Sequence, residues 1–446
     1  MTAVNQNRKT VLIITYYWPP SGGAGVQRWL KTVKYLREYG WEPIVYTPEN
    51  PEAPAIDNSL LKDIPEGIKV LKQPIWEPYS FYKKFLGLKK DEKINAGFLT
   101  EKKKPGLAEK IAVWIRGNLF IPDARKYWVK PSAEFLSNYL RSHPIDAVIS
   151  TGPPHSMHLI ALGLKQKTGI PWLADFRDPW TNIDFYDKLM LTKSADAKHR
   201  ELEKSVLQNA DVVTSIGKQM GDEFLQLGAK RVEVVANGYD EADFTKVGIA
   251  NPDQRELGKE FSISHIGSIN KDRNSETFWS AVKEVCDEMP QFKEKLKIKL
   301  VGKTDHAVLE SIDKYDLQQY LEKIEYLPHD EVLKKSMSSQ VLLLLLNNTP
   351  NAKGIMTGKF YEYLAAKRPI ICIGPEDGEA AKTLEETSSG KVAGFDDKNK
   401  MKAILKTYFE KYLQNKLIVE NTAIQNYSRK KLAGRFAQLL EEISKH

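Results

Sequence analysis

The stretch from Lys353 to Glu376, KGIMTGKFYEYLAAKRPIICIGPE, decides how the second half of the chain folds. Its apolar residues repeat at helical spacing after Gly358, which predicts a short helix that begins near Thr357. Pro369 then opens the apolar run Ile370–Ile373, which is short enough to be a strand buried on both faces. A helix followed by a buried strand is the repeating unit of an α/β sheet.

Residues at the start of this helix also suggest a phosphate site. Gly358 lets a ligand approach the backbone closely, and the free N–H groups of a helix start favour an anion. Lys359 adds a full positive charge, and Glu362 lies one turn further on the same face, where it could bind sugar hydroxyls. The alternative is a solvated ion pair between Lys359 and Glu362, and these residues alone leave both interpretations open.

The 446 residues alternate strands and helices in two sets, which predicts α/β class and two Rossmann-like domains. The first set opens with the β-branched run Val11–Thr15. The second follows the polar stretch Asn251–Lys259, where we place the domain boundary. We predict an N-terminal domain over 1–250, a C-terminal domain over 251–427, and a C-terminal helix over 428–446. Ligands are expected at the carboxyl ends of the strands.

Composition narrows the class of protein. The hydrophobic content of 41% is ample for two cores, and 28% charged residues fit neither a disordered nor a fibrous chain. Cys286 and Cys372 offer no disulfide framework and no metal-ligand spacing, which fits a reducing cytoplasm. The aliphatic run Val341–Leu346 is too short for a membrane span, and we find no secretory signal. We expect a cytoplasmic protein that is soluble or peripheral.

The net charge of +8 comes from one segment. Between Phe81 and Pro131 there are 13 Lys or Arg against 5 Asp or Glu, so this excess equals that of the whole chain. Aromatic residues are interleaved with the cations in the predicted insertion 76–131: Phe81, Tyr82, Phe85, Phe98, Trp114, Phe120, Tyr127 and Trp128. A solvated basic surface would explain each lysine singly. The combination suggests contact of 81–131 with an anionic membrane surface or a lipid-diphosphate acceptor.

The loop after the first strand contains Gly22, Gly23 and Gly25. It is either a tight βα turn or an active-site loop. It is a poor dinucleotide fingerprint because Arg28 stands where the third glycine belongs, so a nicotinamide oxidoreductase is the weakest enzyme hypothesis.

Two further strand ends carry histidines and carboxylates. His155 and His158 follow a Pro-Pro turn at a helix start, where the dipole would keep the imidazole of His155 neutral, able to accept a hydroxyl proton or hydrogen-bond a sugar. Asp175 and Asp178 bracket Arg177, either as a buried ion-pair network or as substrate-binding carboxylates. We predict His155 and Asp178 as catalytic residues, with His158 and Asp175 as further candidates. A purely structural role is the alternative for both histidines.

The second domain contains a similar step from strand to loop at His265–Arg273. Gly267 permits close backbone approach, and Arg273 could clamp a phosphate with two N–H groups. We predict Gly267, Arg273, Lys359 and Glu362 as donor-binding residues, with Gly358 as a further candidate. Neither an HExxH motif nor a cluster of cysteines is present, so no metal site is expected.

Taken in order, these segments resemble the GT-B glycosyltransferases, specifically the large retaining family four. The resemblance covers nearly the whole chain and rests on Tyr17–Pro20 with the Gly22–Gly25 loop, Asn237–Asp240, Gly358–Ala366 and Tyr427–Arg429. The segments Pro153–His155 and Ala174–Trp180 look like a subgroup active in bacterial surface polysaccharide assembly.

The resemblance implies two Rossmann-like domains that face each other across a cleft, with the last helix returning to the first domain. The first domain would hold the acceptor and the second a nucleotide sugar, which we expect to be a UDP-sugar. Arg273 and Lys359 would bind its diphosphate, Glu362 its ribose, and His155 would face the reacting sugar. The loop 22–25 would lie at the cleft. Retention without a metal or other cofactor is implied.

Two positions depart from the family pattern. Gly354 stands where the first of a pair of glutamates is often found, and Ser268 where many members have an arginine. Diphosphate neutralisation would then rest more heavily on Arg273 and Lys359. The donor sugar stays open.

The sequence therefore predicts a hexosyl- or N-acetylhexosaminyltransferase that acts on a glycan or lipid-linked acceptor. A sugar-nucleotide epimerase of the same fold is the first alternative. A protein that binds nucleic acid through the basic segment is the second, but no RNA-binding or zinc signature supports it, and we expect no nucleic-acid partner.

Overall fold

The computed structural model describes residues 8–53, 56–78, 107–183, 185–247, 258–325, 327–419 and 423–445. Its contacts divide the chain into two compact units. Unit 1 comprises Met1–Ala236 and Arg429–His446, and unit 2 comprises Asn237–Ser428. Each unit contains one parallel sheet, so the predicted α/β class with two Rossmann-like sheets is confirmed.

Unit 1 has a seven-stranded sheet in the order β3-β2-β1-β4-β5-β6-β7. Its strands are β1 (Lys9–Ile14), β2 (Trp41–Pro48), β3 (Lys69–Gln73), β4 (Ala147–Gly152), β5 (Trp172–Phe176), β6 (Val212–Ser215) and β7 (Val232–Val234). All of β4 and β5 is buried, as expected for strands covered by helices on both faces. The strand order reverses between β1 and β4, and ligands of such sheets bind at the carboxyl ends of the strands at that point.

The helices of unit 1 are α1 (Ala24–Leu36), α2 (Leu107–Leu119), α3 (Lys126–Ser142), α4 (Ser156–Thr168), α5 (Lys193–Asn209) and α6 (Lys218–Gln226). Within the predicted insertion 76–131, the described residues are 76–78 and 107–131, which include α2 and the start of α3. Four of the aromatic residues of this insertion lie outside the described residues: Phe81, Tyr82, Phe85 and Phe98.

Unit 2 has a six-stranded sheet in the order β10-β9-β8-β11-β12-β13. The strands are β8 (Phe261–Ile266), β9 (Leu296–Val301), β10 (Leu321–Ile324), β11 (Val341–Leu345), β12 (Ile370–Ile373) and β13 (Gly390–Ala393). The helices are α7 (Glu241–Lys246), α8 (Glu276–Glu288), α9 (Pro290–Lys295), α10 (His306–Lys314), α11 (His329–Ser338), α12 (Gly358–Ala365), α13 (Glu379–Glu386) and α14 (Lys398–Leu413). The opening stretch of the sequence thus forms α12 and β12.

The last helix, α15 (Arg429–Ile443), returns to unit 1 as predicted and packs along α1. The ring of Phe436 lies 4.9 Å from that of Trp29, and both side chains are buried. The helix therefore completes the core on one face of the first sheet.

The division between the units falls at Ala236–Asn237, earlier than the expected boundary at 250. Two contacts place the intervening residues in unit 2. The Tyr239 N–H donates to the Tyr427 carbonyl at 3.1 Å, and α7 packs against α11. Within the described ranges, no helix is long and apolar enough to cross a membrane.

Candidate functional site

Two glycine turns bring the ends of β8 and β9 together in unit 2. Gly267 and Gly302 have φ values of 112° and 109°, in the left-handed region that favours glycine. A Cβ on Gly302 would lie 3.2 Å from the backbone of Gly267, and a Cβ on Gly267 would lie 3.3 Å from Nζ of Lys359. The missing side chains therefore let the two turns and the lysine approach one another.

Lys359 and Arg273 converge at this end of the sheet. Lys359 Nζ lies 2.7 Å from Nε2 of His265, while Arg273 donates to Oδ1 of Asn347 at 2.8 Å and to the Ser268 carbonyl at 3.0 Å. Burial, together with the nearby Arg273 charge, holds the pKa of Lys359 well below its usual range. Two basic side chains side by side suit a bound anion, because its negative charge would favour the ammonium form of Lys359.

The start of α12 leaves its backbone N–H groups without a side-chain cap. Gly358 is the first helical residue, and Thr357 before it makes no capping bond. The Thr357 hydroxyl oxygen is buried without a hydrogen-bond partner in the described structure. An uncapped helix start beside two cationic side chains is a favourable site for a phosphate.

Glu362 faces another partner. Its Oε1 lies 3.0 Å from Nε2 of His329, and both side chains are about a quarter exposed, at 25% and 24%. Lys359 contacts His265 instead, so the surface ion pair between Lys359 and Glu362 that the sequence left open is not formed. Gly354, where the family often has an acid, ends a 3-10 turn that begins at Ala352.

Two residues that sequence reasoning did not select help to build this site. The Tyr363 hydroxyl accepts the Ile266 N–H at 2.7 Å and is 3.3 Å from the Ile266 carbonyl, which fixes α12 to the end of β8. His265 supports Lys359. The sequence feature that could have indicated this role is a histidine near the end of a predicted buried strand.

The candidate carboxylate Asp175 lies in the core of unit 1. It pairs with Arg28 at 2.8 Å, and both side chains are at most 1% exposed. It also accepts hydrogen bonds from Trp29, Thr151 and Thr214, at 2.8, 2.9 and 2.8 Å. Burial opposes ionisation, but the Arg28 charge and these bonds lower the pKa of Asp175 overall. This is the buried network that the sequence left open as one alternative.

Arg177 connects the two candidate loops of unit 1. Its guanidinium donates to the carbonyls of Gly25, Gly152 and Pro153. A Cβ on Gly25 would lie 2.8 Å from Arg177 Nη1, which explains the glycine there. Sequence reasoning noted Arg177 but did not assign it a role.

The remaining candidates of these loops are Asp178, Gly22 and Gly23. Asp178 is exposed and interacts electrostatically with Arg177. Gly22 is buried, and Gly23 is exposed with φ of 98° just before α1.

His155 and His158 lie together at the carboxyl end of β4. His155 stacks on Trp180 with ring centroids 4.6 Å apart, and His158 stacks on Phe176 at 4.2 Å. His155 Nδ1 and His158 Nε2 are buried without a hydrogen-bond partner in the described chain.

Both histidines are held neutral. Burial lowers the pKa of His158 to about 3 although Asp175 acts in the opposite direction, and it lowers the pKa of His155 well below its usual range. The sequence predicted a neutral imidazole on the grounds of the helix dipole. Burial is the larger cause, and the start of α4 is occupied by Asp123, which accepts the Ser156 N–H at 2.9 Å.

No group of three or more His, Cys, Asp or Glu side chains in the described ranges could hold a metal ion. The site in unit 2 consists of cations, a helix start and one carboxylate. The site in unit 1 consists of neutral imidazoles, the Arg177 guanidinium and the exposed Asp178.

Residues 110–238 match the family model of a glycosyl transferase 4-like domain. This segment contains His155, His158 and the Asp175–Asp178 loop. No curated protein shows significant sequence similarity to the chain.

Solved structures share the fold along nearly the whole chain. Sucrose-phosphate synthase from Thermosynechococcus elongatus has a TM-score of 0.58 and 13% identity, covering 98% of this chain and 99% of its own. Anabaena HepE in complex with UDP-glucose has a TM-score of 0.58 and 13% identity, covering 97% and 99%. A putative UDP-N-acetylglucosamine 2-epimerase from Listeria monocytogenes has a TM-score of 0.55 and 13% identity, covering 98% and 96%. The fold is therefore GT-B-like, and together with the matched domain it supports sugar transfer.

Proposed function

We propose that the protein transfers a sugar from a nucleotide-diphosphate donor, namely a UDP-sugar, to a glycan or lipid-linked acceptor. The observation that carries this proposal is the grouping of Lys359 and Arg273 at the uncapped start of α12, beside the left-handed turns at Gly267 and Gly302. The structure of HepE holds UDP-glucose, and this supports a uridine nucleotide as the donor. Bacterial surface polysaccharide assembly is the proposed setting.

In this proposal the residues of unit 2 bind the donor. Lys359, Arg273 and the N–H groups of α12 hold the diphosphate, and Glu362, oriented by His329, accepts hydrogen bonds from the ribose hydroxyls. The turn at Gly267 lets the phosphates approach the backbone. The transferred sugar is a hexose or an N-acetylhexosamine.

Unit 1 would hold the acceptor, with His155 hydrogen-bonded to the reacting sugar and Asp178 contacting the substrate. In the proposed retaining step, the bond from the anomeric carbon to the diphosphate oxygen breaks. The acceptor oxygen attacks from the same face, and its proton passes to the leaving phosphate. The cations of unit 2 would stabilise the charge that develops on this diphosphate, so the step needs no metal.

A thermal-shift panel of nucleotide sugars tests the donor site. We expect at least one nucleotide sugar to raise the melting temperature of the wild type and to leave Lys359→Ala unchanged, because the variant lacks the amine that binds the diphosphate. Lys353→Ala is a matched control, since this lysine pairs with Asp377 on the surface. Equal shifts in wild type and Lys359→Ala would remove Lys359 from the site.

The epimerase hypothesis keeps specific support, because the listerial neighbour shares the fold along nearly all of its length. Product analysis separates the two reactions. A transferase releases nucleoside diphosphate when an acceptor is supplied, whereas an epimerase returns an isomerised nucleotide sugar without that release.

We also propose that the protein binds the inner face of the membrane through an aromatic surface. This surface comprises large apolar side chains that are 41% to 62% exposed: Trp76, Ile111, Trp114, Leu119, Tyr127 and Met190. Trp76 packs edge-on against Tyr127 at 5.2 Å, and the Lys126 amine lies 5.0 Å from the Tyr127 ring. Exposed aromatic rings next to lysines suit the interface of an anionic bilayer, where the rings insert and the cations face the headgroups.

Co-sedimentation with vesicles that contain anionic lipid, at low salt, tests this surface. The paired substitution Trp114→Ser and Tyr127→Ser is expected to lower the bound fraction several-fold, because it removes apolar area that would enter the bilayer. Leu225→Ser is the control, since Leu225 is 49% exposed on α6. Failure of the wild type to sediment with these vesicles would refute the proposal.

A further inference from the structure

His265 lies at the base of the proposed donor site. It is the next-to-last residue of β8 and is completely buried. Its Nδ1 is 3.0 Å from the carbonyl oxygen of Leu343 in β11, and its Nε2 is 2.7 Å from Nζ of Lys359. Because a carbonyl oxygen can only accept, Nδ1 carries the ring proton. Nε2 is therefore the acceptor for an N–H of Lys359.

This bond gives the flexible lysine a fixed direction. A lysine amine on four methylene groups has many rotamers, and the acceptor on His265 selects one that places it over Gly267. Of the charged groups at this end of the sheet, Arg273, which follows β8, acts on the amine. Tyr363 and Glu362 belong to α12 with Lys359, but Tyr363 is bonded to Ile266 and Glu362 to His329 on α11. Glu362 is thus directed to His329, and the amine is bonded to a neutral ring.

We propose that His265 is the positioning residue of Lys359, and that binding of a nucleoside diphosphate is coupled to proton uptake by this lysine. The inference rests on the donor site proposed above. Without an anion, burial and the Arg273 charge both disfavour the ammonium form. Two phosphate groups reverse that balance because their negative charge favours the proton. The same two causes depress the pKa of Lys359, which agrees with the geometry.

Isothermal titration of the full chain with UDP at about pH 8, in two buffers of different ionisation enthalpy, measures the protons exchanged. For the wild type we expect uptake of a measurable fraction of a proton per UDP bound. Lys359→Arg should still bind UDP but take up no proton, because a guanidinium stays protonated at this pH.

Two substitutions of His265 test the positioning role. His265→Gln retains an acceptor for Lys359 and a donor for Leu343, so affinity and proton uptake should stay close to the wild type. His265→Leu removes the acceptor and should weaken UDP binding about tenfold, which is the loss of one hydrogen bond to a charged group. Melting curves verify that each variant is folded. If His265→Leu does not fold, His265→Gln and Lys359→Arg decide the outcome.

The possible failures are distinguishable. Equal binding enthalpies in the two buffers for the wild type, or unchanged uptake in Lys359→Arg, would overturn the coupling. Wild-type affinity in a folded His265→Leu variant would overturn the positioning role. If neither UDP nor any other nucleoside diphosphate binds, the donor site itself is refuted and this inference with it. Binding without proton uptake would leave the donor site standing.

Discussion

Buried titratable residues differ in how fully they are hydrogen-bonded in the two units. The Asp175 carboxylate is bonded to Arg28, Trp29, Thr151 and Thr214, so it has no capacity left for a substrate. Lys359 has only the neutral ring of His265 as a bonded partner within the described residues. A titratable group whose hydrogen-bonding capacity is filled stabilises the fold, whereas one with capacity left can bind a ligand.

Removing the saturated carboxylate should destabilise unit 1 strongly. Asp175→Ala leaves a guanidinium that is 1% exposed without its counter-ion, and we expect a loss of about 3–5 kcal/mol in the free energy of unfolding. Urea titration followed by fluorescence measures this change. Asp222→Ala, which breaks an exposed pair with Lys218, should change it by less than about 0.5 kcal/mol. Similar losses in both variants would contradict this account.

At the scale of elements, two helices have distinct tasks. Helix α12 presents its start to the proposed ligand, and Tyr363 holds it against β8. Helix α15 is separated in sequence from the rest of unit 1 by the whole of unit 2, and it is held there by side-chain packing on α1. The first task depends on backbone groups and the second on buried apolar area.

Truncating the contact between α15 and α1 should therefore destabilise unit 1. Phe436 is 1% exposed, and its ring lies against Trp29 and 5.1 Å from the Arg28 guanidinium. We expect Phe436→Ala to lower the free energy of unfolding by about 3–5 kcal/mol and to make α15 accessible to protease. Gln438→Ala on the exposed side of the same helix is the control. Unchanged melting and proteolysis of Phe436→Ala would show that α15 is not needed for the core.

For the whole molecule, buried histidines predict sensitivity to mild acid. Burial lowers the pKa of His158 to about 3, and the pKa values of His155 and His265 lie well below their usual range for the same main reason. Their contribution to stability is complete above the unfolded pKa of about 6.5 and is lost as the pH falls toward the folded pKa. In that pH range each such histidine lowers the free energy of unfolding by about 1.4 kcal/mol for every pH unit of acidification.

Melting temperatures measured between about pH 7.5 and pH 5 test this prediction. We expect them to fall steeply below pH 6.5, and His158→Gln to reduce the slope because it removes one of the groups that must be protonated on unfolding. His306→Gln, at a side chain that is 79% exposed, should leave the slope unchanged. Burial raises the pKa values of Glu77 and Glu203, which offsets part of the loss at lower pH. A flat profile would contradict the prediction.

The sequence by itself predicted the two α/β units and most of the strands that end in candidate residues. Short apolar runs such as Ile370–Ile373 are typical of buried strands, and glycines at their ends indicate close backbone approach. It also selected Arg273, Lys359 and Glu362 for one ligand. These are local properties of composition and spacing, so a single chain reveals them.

Tertiary structure decided which charged groups are available for binding. Asp175 and Asp178 are three residues apart in sequence, yet Asp175 is saturated in the core and Asp178 is exposed. Likewise, only the packing of α12 against β8 places Lys359 beside His265, 94 positions away, and directs Glu362 to His329. Which side chains contact each other depends on distances between segments that are remote in sequence. The spacing of residues along the chain does not reveal those distances.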